Sequence, residues 1–289
     1  MTKLDLIMPA ETYHATEGVS ASQLRVIHRH TPFHLKREME KKREETPAML
    51  LGTLVHEAVL EPHKIGRKLA VKPKTLTVPA DYVPKSKAGP KPGDVIEWDG
   101  KRTLCKEWIK TQEAAGLTVV SQDEFDEMTD ALVQIASHEK ANWAIAHSDP
   151  EVSLFWETIT GTQCKARIDL LPRDPAMGLW DLKTAADASP EGFWNAAFRE
   201  GYHIQAAWYL DAAKLFNEDR AEKFTFIVYE KGSGAVVVYE CEPEFIERGR
   251  ADYQAALEKY EIAKLTGVWP SYAPVQKLGL PAWARKGAA

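Results

Sequence analysis

The segment Gln163 to Lys183, which reads QCKARIDLLPRDPAMGLWDLK, constrains the fold of this chain more than any other. It has two short apolar runs around the turn sequence PRDPAMG, a pattern typical of an antiparallel β-hairpin. If the chain folds back around Pro175, Asp169 on the first run and Asp181 on the second are equidistant from the turn. The pattern therefore predicts two carboxylates that face each other across paired strands.

Two opposed carboxylates require a compensating positive charge. Directly opposed Cβ atoms lie about 4.5–5.5 Å apart, and like charges at about 4 Å repel by about 4 kcal/mol at an effective dielectric of about 20. A bound cation would relieve this repulsion. Lys183 follows Asp181 by two residues, so both side chains leave the strand on the same face. The pattern is compatible with a metal site beside an ammonium group, and also with a solvated surface ladder that contains a salt-bridged lysine.

The apolar neighbours of these charges favour the first interpretation. The flanking residues are Leu170, Leu171, Leu179, Trp180 and Leu182. They predict a central, buried hairpin, where an unpaired charge is costly. Charged residues in such a place are typical of a functional site.

Composition predicts an ordinary globular protein. The chain has 289 residues, 44% of them hydrophobic and 27% charged, and shows no internal repeat or linker, which predicts a single domain over residues 1–289. No stretch reaches the roughly 18–20 apolar residues of a membrane span, and the N-terminus has no basic region followed by a long apolar core. We therefore expect no membrane association and a cytoplasmic location.

Charge and cysteine content exclude other classes. The net charge of -5 argues against a basic nucleic-acid coat, although basic residues can still be concentrated in a channel. Cys105, Cys164 and Cys241 show no C-x-x-C spacing and cannot supply the four thiolates of an iron–sulfur cluster. We interpret them as reduced core residues.

The order of periodic segments predicts an α/β domain with a central mixed sheet flanked by helices. Helices are predicted over residues 22–30, 33–45, 47–62, about 101–115, 121–147, 190–200, 202–216 and about 243–265. Strands are predicted over 152–159, the central hairpin, and a second hairpin of 224–231 and 235–242 around Gly232. Residues 71–99 lack periodicity and predict a long, flexible loop.

Four separated motifs together resemble a known nuclease group. They are G-x-x-x-H from Gly52 to His56, Asp169, Asp181-Leu182-Lys183, and Q-x-x-x-Y from Gln205 to Tyr209. In this order they resemble the RecB-like branch of the PD-(D/E)xK nuclease superfamily, and most of all the RecE-type, phage-encoded exonucleases. The similarity extends from about Ser20 to the end through SASQL, TPFHLK, AMLLGTLVHEAVLEP, CKARIDLL, WDLKTAADAS, GYHIQAAWY, WPSY and LPAW. It implies a PD-(D/E)xK restriction-endonuclease-like core.

The resemblance also implies a ligand set for magnesium. Asp169 and Asp181 would bind Mg²⁺, with the backbone carbonyl of Leu182 and the ring of His56 as further ligands. Hard oxygen ligands suit Mg²⁺, and an imidazole makes Mn²⁺ an acceptable substitute. Without the resemblance, a single histidine in an apolar helix is more often a hydrogen-bonded core residue.

Further residues are expected to contact DNA or water. The resemblance implies that Lys183 orients or helps to deprotonate the attacking water, and that Gln205 and Tyr209 are active-site or DNA-backbone contacts. These two residues are four apart and share a helix face, but alone they would be interpreted as a solvated glutamine and a core aromatic. Arg167 should share the face of Asp169 and is a candidate phosphate contact. Glu151 or Glu157 could add a carboxylate, and the sequence does not choose between them.

The N-terminal segment SASQLRVIHRHTP resembles the region of the family that holds a 5′-phosphate. Ser20, Ser22 and Arg25 are the expected contacts. The segment departs from the commoner family pattern by carrying residues 28–30 as His-Arg-His. An ordinary capped surface helix is the alternative interpretation.

The function implied by the resemblance is a magnesium-dependent exonuclease that digests one strand of linear double-stranded DNA from its 5′ end. The product would be a 3′ single-stranded overhang for recombination by a single-strand annealing protein. A homo-oligomeric ring, a trimer or tetramer, is implied around DNA. The alternatives are a RecB-like single-strand-specific nuclease or endonuclease of a repair complex, and a non-catalytic DNA-binding or assembly subunit.

Overall fold

The computed structural model describes residues 2–41, 47–65, 68–84 and 89–279. Its strands are β1 Lys3–Asp5, β2 Leu69–Val71, β3 Thr75–Thr77, β4 Val95–Glu97, β5 Thr118–Val120, β6 Ser148–Glu157, β7 Gln163–Pro172, β8 Leu179–Ala185, β9 Phe224–Glu230 and β10 Val236–Glu240. Its helices are α1 Ala10–Ala15, α2 Ala21–Arg29, α3 Pro32–Met39, α4 Pro47–Leu60, α5 Pro62–Ile65, α6 Thr103–Ala114, α7 Gln122–Ser137, α8 Glu139–Ala146, α9 Pro190–Glu200, α10 Tyr202–Lys214 and α11 Pro243–Thr266. None of the helices in these ranges combines the length and apolar character that a membrane crossing needs.

A mixed sheet lies at the centre of the fold. Its strand order is β1-β6-β7-β8-β9-β10, and every neighbouring pair is antiparallel except β8 and β9. The parallel pair requires a crossover connection, which α9 and α10 provide between the two strands. The predicted α/β class with a central mixed sheet flanked by helices is confirmed.

Each face of the sheet is covered by helices. One core contains Leu24 of α2 and Trp208 of α10, and the other contains Val55 of α4 and Met128 of α7. Strand β9 serves both cores because successive side chains alternate between faces: Phe226 lies in the first core and Ile227 in the second. This arrangement lets helices from opposite layers approach the same central strands.

The hairpin of β7 and β8 has the predicted turn. A 3₁₀ turn, Pro175–Met177, joins the strands, and Leu170 lies opposite Trp180. Gly178 ends the turn with φ 69, and a Cβ at this position would overlap the carbonyl of Lys223. A glycine is therefore required both by the backbone conformation and by the close approach of the neighbouring chain.

Strands β7 and β8 separate beyond their one paired position. The register of Leu170 with Trp180 places Asp169 and Asp181 at the next level, as the sequence predicts, but the backbone ladder does not continue there. The backbone N–H of Leu182 donates instead to Asp169 Oδ2 at 2.9 Å. We call the opening between the two strands the fork.

Two segments differ from the sequence-based expectation. The helix predicted over 121–147 is divided into α7 and α8, because His138 takes an extended conformation and its Nδ1 accepts the N–H of Ala141. The expected loop over 71–99 contains an antiparallel ribbon in which Thr75 pairs with Glu97. Residues 85–88 lie outside the described residues, and the flexibility of the segment stays a prediction.

The charged helix predicted over 33–45 is shorter in the described structure. Helix α3 begins at Pro32 and ends at Met39, and residues 42–46 lie outside the described residues. The other predicted helices after residue 100 agree with the structure closely, and α11 ends at Gly267 in a left-handed conformation as the sequence indicates.

Candidate active site

A cavity of about 590 Å³ lies at the fork. It is bounded by α2, α4, β6, β7 and α10, so helices from both layers contribute to it. The sequence-predicted residues that line it are Ser20, Ser22, Arg25, His56, Arg167, Asp169, Gln205 and Tyr209. Asp181, Leu182 and Lys183 lie next to this set, since Asp181 contacts Gln205 and Leu182 contacts Asp169.

Three potential metal ligands converge in the cavity. His56 Nδ1 lies 3.0 Å from Glu151 Oε1, and His56 Nε2 lies 2.7 Å from Asp169 Oδ2. One ligand atom from each of these residues falls within 4.8 Å of the other two. The imidazole of α4 therefore bridges two carboxylates that come from neighbouring strands of the sheet.

Of the two candidate carboxylates, Glu151 lies beside His56 and Asp169, and Glu157 does not. Ser148 pairs with Pro172 and Glu157 pairs with Gln163, a register that places Glu151 opposite Asp169. Glu151 has φ 56, an uncommon conformation for a residue other than glycine. Glu157 lies at the other end of the strand, where its Oε2 accepts the Gln163 side-chain amide at 2.8 Å.

Asp181 forms a second group within the fork. It is fully buried, its Oδ1 accepts the Gln205 side-chain amide at 2.7 Å, and its Oδ2 forms an ion pair with Lys183. The Lys183 ammonium also lies 5.1 Å from the ring centre of Tyr202, within cation–π distance. The predicted same-face arrangement of Asp181 and Lys183 is present.

The cluster of mutually close ligand atoms differs from the predicted metal set. It contains His56 and Asp169, as predicted, together with Glu151, whereas Asp181 stands outside it. The contact that Leu182 makes with the site uses its N–H and not its carbonyl. The sequence did not single out Glu151 because that choice depends on the register of β6 with β7.

The two aspartates have opposite electrostatic environments. Although burial opposes ionisation, the neighbouring His56 and Lys183 cations lower the pKa of Asp169 to about 2. Burial and the nearby Asp169 carboxylate raise the pKa of Asp181 to about 7. Titratable neighbours whose pKa values are moved apart are typical of acid–base and metal sites.

The two cations of the site are stabilised by these carboxylates. Burial disfavours the charged ring of His56, but Asp169 and Glu151 raise its pKa well above its usual range. The ammonium of Lys183 is likewise buried, yet Asp181 and Asp169 raise its pKa. Lys183 is therefore positively charged at neutral pH.

Arg167 has an internal role in the described structure. It is buried and forms an ion pair with Glu151, and its Nη1 donates to Met8 O and Ser153 Oγ, each at 2.9 Å. The guanidinium thus holds Glu151 in place beside His56. Its predicted contact with a phosphate stays a prediction, although Arg167 does line the cavity.

The predicted N-terminal residues Ser20, Ser22 and Arg25 also line the cavity. Ser20 Oγ lies 2.9 Å from Ser22 Oγ at the start of α2. The guanidinium of Arg25, one turn later, lies 5.9 Å from the ring centre of Tyr202. Tyr209 lines the same cavity, and burial raises the pKa of its hydroxyl well above 10. Hydroxyl and guanidinium groups thus line the same cavity as the acidic cluster.

Lys165 is a cavity residue that the sequence analysis did not identify. Its Nζ donates to the backbone carbonyls of Tyr13, His14 and Thr16 at 3.0, 3.3 and 2.6 Å. These bonds hold the C-terminal end of α1, whose Tyr13 and His14 also line the cavity, against β7. No short-range pattern indicates them, because the partners are separated by about 150 positions in the sequence.

The chemistry of the donor set fits a divalent cation. The protonated His56 ring supplies the positive charge between Glu151 and Asp169. A bound metal ion would neutralise these two carboxylates in its place. Carboxylate oxygens are suitable ligands for Mg²⁺, and the imidazole nitrogen is compatible with Mn²⁺. His56, Glu151 and Asp169 are therefore able to hold such an ion once His56 has lost its proton.

The fold and this site define a PD-(D/E)xK nuclease-like protein. The sequence profile of the PDDEXK-like domain of unknown function (DUF3799) matches residues 20–275, and the chain belongs to this family. The fold is similar to a crystal structure from Eubacterium rectale named "Putative exonuclease", with a TM-score of 0.60 and 13% identity over 98% of this chain and 99% of that chain. This likeness concerns the fold alone. No curated protein matches the chain in sequence.

Proposed function

We propose that this protein is a divalent-metal-dependent exonuclease of the RecE type that acts on the ends of linear double-stranded DNA. The observation that carries the proposal is the convergence of His56, Glu151 and Asp169 beside the Asp181–Lys183 pair. Mg²⁺ is the proposed ion and Mn²⁺ a substitute. Support comes from the four motifs of the resemblance, which end in His56, Asp169, Lys183 and Tyr209 and which meet at the fork. The motif LPAW at 280–283 lies outside the described residues.

The ligands of the ion would be His56, Glu151 and Asp169. The resemblance adds Asp181 and the carbonyl of Leu182 as proposed ligands. When bound, the ion would supply positive charge to the scissile phosphate and to the oxygen that leaves it. Arg167 would keep Glu151 oriented, because it pairs with that carboxylate within the protein.

Lys183 would act as a positioned cation. Because the pKa of its ammonium is raised by Asp181 and Asp169, the group holds its proton at Nζ at neutral pH and can donate a hydrogen bond to a phosphate oxygen or to the attacking water. A charge-assisted hydrogen bond of this kind stabilises the negative charge that develops during phosphodiester cleavage. Asp181 would hold the ammonium in this position.

Gln205 would orient the second carboxylate. Its amide nitrogen donates to Asp181 Oδ1 at 2.7 Å, which fixes the plane of that carboxylate from the helical layer. Tyr209 follows one turn later on α10 and lines the same cavity. Its hydroxyl would contact the DNA backbone.

Strand polarity is proposed from the entrance of the cavity. Ser20, Ser22 and Arg25 would hold a 5′-phosphate, since hydroxyl and guanidinium groups bind phosphate oxygens. Digestion would then proceed from the 5′ end and leave a 3′ overhang, which a single-strand annealing protein could use. The control variant for this region is Arg29→Ala, because Arg29 is on the same helix and pairs with Glu200 at 3.1 Å.

We also propose a ring-shaped homo-oligomer, a trimer or tetramer. A chain of 32.4 kDa is small for enclosing a duplex alone, and a closed ring would retain DNA through many turnovers. Light scattering should give the mass of a closed oligomer, and digestion should continue after excess competitor DNA is added. A strictly monomeric enzyme that digests processively under these conditions would rule out the ring.

The nuclease proposal is tested with end-labelled linear duplex, with and without a 5′-phosphate, alongside closed circular and single-stranded DNA. We expect release of nucleotides from linear duplex in Mg²⁺, none with chelator, and little action on closed circles. Arg25→Ala should reduce the preference for a 5′-phosphorylated end, whereas Arg29→Ala should retain it. Nicking of closed circles would support the endonuclease alternative. Cleavage of single-stranded DNA alone would support the RecB-like single-strand-specific nuclease. Binding of DNA without cleavage would support a non-catalytic subunit.

A further inference from the structure

A second group of potential metal ligands lies among three helices of the first core. His28 is on α2, His203 on α10 and Asp252 on α11, and one ligand atom from each falls within 4.8 Å of the other two. None of these residues lines the cavity at the fork. The second group is therefore separate from His56, Glu151 and Asp169.

The two separations from the Asp252 carboxylate oxygen are close to those of a tetrahedral metal site. Asp252 Oδ2 lies 3.2 Å from His203 Nε2 and 3.8 Å from His28 Nε2. Ligand bonds of about 2.0–2.2 Å in tetrahedral geometry put neighbouring ligand atoms about 3.3–3.6 Å apart. Only small side-chain movements would be required to surround an ion.

The histidine at the centre is held in a fixed orientation. His203 is 1% exposed, its ring stacks on Phe198 with centroids 4.7 Å apart, and the Phe245 ring packs against it in a T-shaped arrangement with centroids 5.8 Å apart. Among the described residues its Nδ1 makes no hydrogen bond, so its one polar contact is on the side of Asp252. Burial lowers the pKa of His203, which favours the neutral imidazole that binds metals.

We infer that His28, His203 and Asp252 form a binding site for a transition-metal ion of the Zn²⁺ class, with the remaining position open to water. Two imidazoles and one carboxylate are suitable ligands for Zn²⁺ and for Co²⁺. An oxygen-preferring ion such as Mg²⁺ is a poor match for a site with two nitrogen ligands.

Arg248 is the group that competes with the ion. Its Nε donates to Asp252 Oδ2 at 2.6 Å, but its side chain is 58% exposed. An exposed ion pair contributes little to stability, so the guanidinium can leave the oxygen when a metal ion binds.

A metal ion at this site would link α2 and α10, two helices that contribute residues to the cavity at the fork. Helix α2 carries Arg25 one turn before His28, and α10 carries Gln205 two residues after His203. An ion held by α2, α10 and α11 would fix the entrance residues relative to Asp181. Binding to the folded state alone would also raise the melting temperature.

The test uses the full chain after removal of metals with chelator and dialysis. Co²⁺ is titrated while the visible absorption of tetrahedral cobalt is recorded, Zn²⁺ is then added in competition, and thermal unfolding is measured with and without Zn²⁺. We expect a cobalt band that Zn²⁺ removes, and a Zn²⁺-dependent rise in melting temperature.

Variants assign the band to its residues. His28→Ala should lose the band and weaken Zn²⁺ binding by about tenfold or more, since loss of even an outer partner costs about 10–100-fold. His56→Ala should retain the band, as should His63→Ala, which changes an exposed histidine of α5. Arg248→Ala should tighten Zn²⁺ binding by removing the competing cation, an effect that a purely structural ion-pair network would not show.

The proposal is overturned by either of two results. One is the absence of a tetrahedral cobalt band in the wild-type protein. The other is a band that survives in His28→Ala and disappears in His56→Ala, which would assign the metal to the fork. Neither result depends on nuclease activity, so failure of this proposal is distinguishable from failure of the proposed function.

Discussion

Asp169 accepts the backbone N–H of Leu182 at 2.9 Å and thereby takes the place of a strand carbonyl where β7 and β8 separate. The same carboxylate oxygen lies 2.7 Å from His56 Nε2. The Asp169 side chain therefore satisfies the free N–H of β8 at the fork and also contacts His56, another candidate metal ligand. Its position is set by the backbone of the fork and not by side-chain packing alone.

Glu151→Gln should weaken binding of Mg²⁺ or Mn²⁺ by about tenfold or more, because it removes a charged ligand from the cluster. Glu157→Gln is the matched control, since it makes the same change on the same strand at its distant end. Calorimetric or fluorescence titration of the metal measures both. Equal affinities in the two variants would exclude Glu151 from the ligand set.

His56 should make the stability of the metal-free protein dependent on pH. Its folded pKa is raised above the unfolded value of about 6.5, so its charged ring contributes stability that is fully present below about pH 6.5. This contribution is lost as pH rises through the folded pKa. Denaturant unfolding in chelator from pH 6 to pH 9 should therefore show wild-type stability falling relative to His56→Gln.

The same proton competes with the metal ion. Because binding requires the neutral ring, the affinity for Mn²⁺ should rise with pH in the wild type and rise less in His56→Gln. His63→Gln, at an exposed position of α5, serves as the control and should behave as the wild type in both measurements. A pH-independent difference between wild type and His56→Gln would show that the ring is not charged in the fork.

Gly178→Ala should destabilise the fold by about 2–5 kcal/mol. A left-handed conformation costs a residue other than glycine about 1–2 kcal/mol, and overlap of the new Cβ with the Lys223 carbonyl adds about 1–3 kcal/mol. Gly267→Ala is the matched control, because Gly267 has φ 70 and, apart from its chain neighbours, no atom of the described residues lies within 4 Å of an added Cβ. Urea unfolding should give a loss of about 1 kcal/mol for the control, and equal losses would contradict the close approach at the turn.

Much of the fold was predictable because its signals are local. The turn around Pro175 correctly placed Asp169 and Asp181 at one level, and Gly232 marked the second hairpin. Periodicity also located the helices after β8. The division between α7 and α8 was missed, since it depends on the conformation of one residue, His138, within an otherwise helical pattern.

The candidate site was predictable only in part, because its remaining contacts are non-local. Glu151 could have been chosen over Glu157 by counting from the turn at Thr160, from which Glu151 and Asp169 are equidistant. The pairing of Arg167 with Glu151 and the bonds of Lys165 to the C-terminal end of α1 have no such signal. They depend on how strands distant in sequence meet in the folded sheet.

The central claim is that the fork is a nuclease site, and two variants of the Asp181–Lys183 pair separate its chemistry from binding. Asp181→Asn should shift the midpoint of a Mg²⁺ titration to higher concentration, because the resemblance assigns that carboxylate to the ion. Lys214→Ala, on the exposed end of α10 and paired with Glu222, is the control for loss of a lysine charge.

The most direct measurement is the turnover of Lys183→Ala on linear duplex at saturating Mg²⁺ and DNA. We predict that its affinities for metal and DNA stay within a few-fold of wild type, while turnover falls by a factor of about 10² or more, the range for loss of one positioned donor that stabilises developing negative charge. Lys214→Ala should retain wild-type turnover. Near-normal turnover in Lys183→Ala would contradict the account and leave Asp181 and Lys183 as a structural ion pair.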